Sequence, residues 1–127
     1  MVGTNYSRLK ALIVDDERAC AVSVLRILRR KGCREYIIAL NGEKGLDVYL
    51  SQRPDLVITD VDMPVMNGIE MIRKIRGDYA GDKTRIVCMS GLCHEREALE
   101  AGANAFLAKP FEPRDLIEVV NSTILRS

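Results

Sequence analysis

The stretch Pro54-Asp55-Leu56-Val57-Ile58-Thr59-Asp60-Val61-Asp62-Met63-Pro64-Val65-Met66-Asn67-Gly68 decides how the chain is read. Leu56 to Ile58 is an apolar run of the length of a short buried strand, and it ends in an acid followed by a Pro/Asn/Gly loop. In an open α/β sheet, chemistry sits just past the strand C-termini. Asp60 is therefore the first candidate functional residue. An acid at a strand end also serves as a plain turn cap, so its meaning depends on what the other strand ends carry.

Upstream, Leu9 to Val14 is an aliphatic run that stops at Asp15-Asp16-Glu17. Ala21, Val22, Leu25 and Leu28 then recur at helical spacing, with Arg26, Arg29, Arg30 and Lys31 on other faces, until Gly32 closes the helix. Tyr36 to Leu40 reads as a second strand. Asn41-Gly42 offers a turn and a cap for a helix carrying Leu46, Tyr49 and Leu50, and Pro54 marks the next boundary.

Downstream of the Asp60 loop, Ile69, Ile72 and Ile75 predict a helix that fades into an exposed loop over Gly77-Asp78-Tyr79-Ala80-Gly81. Arg85 to Met89 supplies a fourth strand ending at Ser90-Gly91. Glu95 to Ala101 is a short helix whose weak apolar face predicts loose packing, ending at Gly102. Ala105 to Ala108 is a fifth strand ending at Lys109-Pro110, and Pro113 opens a last helix bearing Leu116, Ile117, Val120 and Ile124.

Strands and helices that alternate in this way predict an α/β fold, a parallel sheet of about five strands with helices on both faces and right-handed crossovers. All strand C-termini of such a sheet share one edge. Asp15, Asp16, Asp60, Ser90 and Lys109 are thereby expected to gather, although they are scattered through the sequence.

Composition excludes several alternatives. The 127 residues fit one domain with a real core, and 47% apolar with 29% charged residues is ordinary for a soluble globular protein. Nineteen basic against 18 acidic residues leave a net charge of +1, which gives no overall electrostatic case for nucleic acid or membrane as partner. No apolar run approaches a membrane span and Met1 to Lys10 lacks a secretory signal, so a cytoplasmic protein is expected, with a nuclear pool compatible. Cys20, Cys33, Cys88 and Cys93 form no CxxC pair, and Cys93-His94 lacks a second ligand pair; reduced, structural thiols are expected rather than a zinc site.

Three neighbouring carboxylates repel one another, and an oxygen-only donor set suits a hard divalent cation, Mg2+ or Mn2+, better than zinc. With that charge and Lys109 neutralising it, Asp60 could attack a phosphoryl group and carry it as an acyl phosphate, Ser90 hydrogen-bonding one phosphoryl oxygen.

Asp15-Asp16, Asp60 followed by Met63-Pro64 and Asn67-Gly68, Ser90-Gly91, and Phe106 with Lys109-Pro110 stand in the order and spacing of a known family. Over nearly all its length the chain resembles the receiver domains of two-component response regulators, of the single-domain, chemotaxis-regulator kind. The resemblance implies a flavodoxin-like, doubly wound sheet in the order 2-1-3-4-5; residues 1–127 are expected to form one receiver domain, and no effector domain fits within them, whether the chain stands alone or is the receiver of a longer one. It implies Mg2+ held by Asp15, Asp16, Asp60 and the carbonyl of Asp62. Phosphorylation of Asp60 by a phosphohistidine on a kinase or phosphotransfer protein follows from it too, making the chain a signalling phosphoacceptor and not a turnover enzyme. Ser90 and Phe106 would form the switch that reshapes a protein-binding surface. Phe106 stands where tyrosine is frequent in the family, and Asp62 where an uncharged residue is frequent; the Asp62 charge is expected to slow anionic phosphoryl donors.

Two rivals share parts of the pattern. Asp60-Val61-Asp62 looks like the nucleophile and acid pair of haloacid dehalogenase-type phosphatases, but Met63-Pro64 breaks that motif and no room remains for a substrate cap. A flavodoxin-like FMN binder would want a Ser/Thr/Gly-rich loop where Asp15-Asp16 stands.

Overall fold

The apolar runs assemble into a single parallel sheet in a computed structural model that describes residues 4–78 and 83–125. Its strands are β1 (Lys10–Val14), β2 (Glu35–Ala39), β3 (Leu56–Asp60), β4 (Arg85–Ser90) and β5 (Ala105–Ala108), in the order β2-β1-β3-β4-β5. Every neighbouring pair is parallel. The crossovers are α1 (Arg18–Arg30), α2 (Gly42–Gln52), α3 (Gly68–Gly77) and α4 (Glu95–Ala101), and α5 (Pro113–Leu125) follows the last strand. This is the flavodoxin-like, doubly wound order.

The strands lack polar alternation because both faces are covered. On β1, Leu12 and Val14 join one core layer while Ala11 and Ile13 join the other; on β3, Val57 opposes Leu56 and Ile58. The first layer is closed by Tyr49, Met71, Ile72, Ile75, Ala98 and Ala101 of α2, α3 and α4. The second is closed by Ala21, Val24 and Leu28 of α1 and Leu116 and Val120 of α5. As the sparse apolar pattern of α4 predicts, only Ala98 and Ala101 of that helix are buried, and Leu99 is exposed.

Helix starts follow local chemistry. The side chains of Asn41 and Asn67 accept the amides of Lys44 and Glu70 at 2.8 and 2.9 Å, capping α2 and α3. Several sequence-based expectations shift. Strand β1 begins at Lys10 instead of Leu9, β2 runs Glu35–Ala39, and β4 includes Ser90. In α1 the buried stripe is Ala21, Val24 and Leu28, with Val22 and Leu25 only half-buried on its flank. In α2, Leu50 is exposed, because the stripe facing the sheet is Gly42, Gly45 and Tyr49. A Cβ at Gly45 would stand 2.7 Å from Met71 Sδ, so a glycine, not a large aliphatic residue, sets the approach of that helix. Of the loop expected at 77–81, Gly77 is exposed and Asp78 pairs with Arg53, while Tyr79, Ala80 and Gly81 lie outside the described residues.

The loop after β3 is fixed by close backbone contact. The Gly68 amide donates to the Val61 carbonyl at 2.9 Å, the Gly42 amide donates to the Met66 carbonyl at 3.0 Å, and Val65 takes φ +70°. A side chain at Gly68 would overlap the Asp60 carbonyl oxygen. Gly68→Ala is therefore expected to lower the unfolding free energy by about 1–3 kcal/mol, measured by equilibrium urea denaturation. An unchanged midpoint and slope would show that the loop does not depend on this close approach.

Candidate functional site

At the C-terminal edge of the sheet, β1 delivers Asp15, β3 delivers Asp60, β4 delivers Ser90 and the residue after β5 is Lys109. The strand register sets their spacing: Thr59 pairs with Val14 on one side and Asp60 with Met89 on the other. Carboxylate oxygens of Asp15, Asp16 and Asp60 lie within 4.8 Å of one another, and among the described residues this is the one cluster of potential metal ligands. Asp15 is fully buried, Asp60 is 7% exposed and Asp16 is exposed.

Lys109 bridges two of the acids. Its Nζ lies 3.3 Å from Asp15 Oδ2 and 3.4 Å from Asp60 Oδ1. Asp15 Oδ1 in turn accepts the Glu17 amide at 2.9 Å, so both of its oxygens are engaged. Asp60 differs. Its Oδ1 takes both the Lys109 contact and the Val61 amide at 2.9 Å, while among the described residues no hydrogen bond reaches Oδ2. One oxygen is anchored, and the other has no hydrogen-bond partner among the described residues.

The electrostatics agree with this division. Burial pushes the Asp60 carboxyl above its ordinary range, the Lys109 ammonium pulls it back, and Asp15 pushes it further up. Burial alone would lower the Lys109 pKa, but the Asp15 and Asp60 carboxylates raise it above its usual value. Three acids against one ammonium leave a surplus of negative charge at the edge.

The remaining expected residues are placed nearby, in different settings. Ser90 is buried, and its Oγ accepts the Leu92 amide at 3.0 Å while its carbonyl accepts the Lys109 amide at 2.8 Å. Phe106 is half-buried and shares a groove of about 690 Å³ with Ser90, Leu92, Leu99 and Ala108. The carboxylate of Asp62 is 55% exposed and lies 3.4 Å from His94 Nε2. That proximity has no sequence signal, since the two residues sit on separate loops. Cys20 was also not anticipated here: it lines a groove of about 490 Å³ together with Lys109, and burial first, then Asp15, pushes its thiol up to about 11.

The raised Asp60 pKa has a consequence for stability. Below the unfolded carboxyl pKa of about 3.9 the group is protonated in both states and contributes nothing. As pH rises, the unfolded chain releases the proton first, so ionisation weighs against folding and does so fully above the folded pKa. In chelator-treated protein, Asp60→Asn is expected to raise Tm at neutral pH by several degrees, with the gain fading toward pH 4. A lower Tm in the variant at pH 7 would mean that the Lys109 attraction outweighs burial.

Comparison with known proteins places this edge in context. The family model for the response regulator receiver domain matches residues 11–121. Protein CcdB of Bacillus subtilis is 36% identical over 118 residues, covering 88% of this chain and 94% of that protein. The chemotaxis protein CheY of Thermotoga maritima is 32% identical over 115 residues, with coverages of 88% and 94%. The DNA-binding response regulator MtrA of Mycobacterium tuberculosis is 31% identical over 120 residues, and the chain spans about half of its length. Among solved structures, the chemotaxis response regulator CheY4 of Vibrio cholerae superposes with a TM-score of 0.84 at 30% identity, covering 91% of this chain and 98% of that one. With the 2-1-3-4-5 sheet and the acids, hydroxyl and lysine at one edge of it, the chain belongs to the response regulator receiver domains of two-component systems.

Proposed function

We propose that Asp60 is the phosphoacceptor of this receiver and that its phosphorylation requires Mg2+, with Mn2+ able to substitute. The observation that carries the reading is the asymmetry of the Asp60 carboxylate: Oδ1 is held by Lys109 and the Val61 amide, and Oδ2 is free of hydrogen bonds among the described residues.

The donor set fits the metal. Asp15, Asp16 and Asp60 offer only carboxylate oxygens, and the exposure of Asp16 leaves one side of the cluster to water, as a hard cation that keeps part of its hydration requires. These three residues and the Asp62 carbonyl would hold it. When bound, Mg2+ would neutralise charge on the phosphoryl oxygens.

This chain's own residues do the rest. Asp60 Oδ2 attacks phosphorus in line, the bond from phosphorus to the donor imidazole nitrogen breaks, and the leaving imidazole keeps the electron pair and takes up a proton. Lys109, already within 3.4 Å of Asp60, offsets the charge that arrives with the phosphoryl group. Ser90 Oγ accepts from Leu92 and so keeps its own proton to donate to a phosphoryl oxygen. In donating it, Ser90 would move toward the phosphoryl group and leave space in the groove it shares with Phe106, letting the ring turn inward and changing the face formed by α4 and β5. Having a phenyl ring, Phe106 can signal by its position alone, with no hydroxyl to pair.

The phosphoryl donor would be a histidine kinase or a histidine phosphotransfer protein, and the chain would act as a signalling phosphoacceptor, catalysing only the gain and loss of its own phosphoryl group. No described helix is long and apolar enough to cross a membrane. The reading is tested by incubating the protein with acetyl phosphate and Mg2+ and recording intact mass. One phosphoryl group is expected on the parent, and none on Asp60→Asn or after chelation. Asp16→Asn should weaken Mg2+ binding at least about tenfold. Undiminished mass gain in Asp60→Asn, or parental Mg2+ affinity in Asp16→Asn, would contradict the assignment.

A further inference from the structure

Charge on this molecule is unevenly distributed. From Arg18 to Arg34 there are six basic residues and no acid, so the rest of the chain, in a protein of net charge +1, is acidic on balance. Arg26, Arg29, Arg30, Lys31 and Arg34 are all exposed, and none forms an ion pair among the described residues. Arg26, Arg29 and Arg30 together line a shallow concavity of about 290 Å³.

The helix gains little from this arrangement. Arg26 and Arg30 are like charges one turn apart, which opposes helix formation. The position of Arg29 and Arg30 in the last turn complements the helix dipole, but Arg26 and Arg34 lie outside that turn. Arg29 also stacks over the half-exposed Tyr36 ring at 5.9 Å, which holds its guanidinium in place. The acid nearest in sequence, Glu35, alternates with Tyr36 on β2 and therefore faces the α2 side with Ile37 and Ala39, away from α1.

We infer that the C-terminal half of α1, with Arg26, Arg29 and Arg30 at its centre, is a docking site for a short acidic segment of a protein partner. Arginine forks match carboxylates two oxygens at a time. The patch is one to two helical turns long, and the acidic balance of the remaining surface would repel a long polyanion such as nucleic acid or an anionic bilayer beyond it. A short acidic segment meets only the patch. At 1.5 Å per residue, Arg26 and Arg30 lie about 12 and 18 Å along the helix from its Asp15 end. A partner seated there would leave the Asp60 edge open, acting as a tether that raises local concentration without covering the site.

The test uses fluorescence anisotropy with a dye-labelled oligoglutamate peptide at low ionic strength. Arg26→Gln/Arg30→Gln is expected to weaken binding about tenfold, and added salt should weaken binding to the parent. Arg73→Gln/Lys74→Gln, which removes the same charge from the exposed face of α3, should leave it nearly unchanged. The parent should bind a DNA oligonucleotide and phosphatidylserine vesicles less tightly than the peptide. Tm of the α1 variant should stay within about 3 °C of the parent. Equal losses in both double variants, tighter binding of DNA or vesicles, absence of peptide binding, or a large fall in Tm would each overturn the proposal. Self-association abolished by the α1 variant would also overturn it, in favour of a second copy as occupant.

Discussion

Lys109 standing between Asp15 and Asp60 is the contact on which the functional edge depends. At about 3.4 Å and an effective dielectric of 20, each pair has a gross attraction of about 5 kcal/mol. Taking a carboxylate and an ammonium out of water costs a comparable amount, so the bridge contributes little net stability. What it provides is position. It joins the last strand to the first and third, fixes one oxygen of Asp60, and leaves a local excess of negative charge that a divalent cation can offset. Apolar residues of similar volume would make such an edge at least as stable, so the three acids there are not explained by folding alone.

The sheet makes that contact possible from distant parts of the chain. Asp15 and Lys109 are 94 residues apart in sequence and meet because parallel strands place all their C-termini on one side. Close backbone approach completes the site. Gly68 lets the loop after β3 return against the Asp60 carbonyl, and Gly42 ties the start of α2 to the same loop through Met66.

Much of this was legible in the sequence because its signals are strong. Apolar runs ending in acids, a hydroxyl and a lysine, separated by helical periodicities, fix the α/β alternation and hence the edge at which those residues meet. Helix faces were less legible. Leu50 looks like a core residue, yet α2 approaches the sheet on Gly42 and Gly45, and a periodicity count gives glycine no weight. In α1, Val22, Val24 and Leu25 are all apolar, and only packing against β1 and α5 decides that Val24 is the buried one. The approach of His94 to Asp62 depends on loop conformation, and the sharing of a groove by Cys20 and Lys109 on how α1 packs beside the segment after β5; no local pattern encodes either. Nor does sequence show which Asp60 oxygen is engaged; that follows from the geometry of Val61 and Lys109.

The central claim is that, of the carboxylates at this edge, only Asp60 accepts the phosphoryl group. An aspartyl phosphate is reduced by borohydride to homoserine, which marks the position of the acyl phosphate directly. After treatment with acetyl phosphate and Mg2+, borohydride reduction and peptide mapping by mass spectrometry are expected to find homoserine at position 60 alone. Homoserine at position 15, 16 or 62, or a stable phosphate retained on Ser90, would contradict the account.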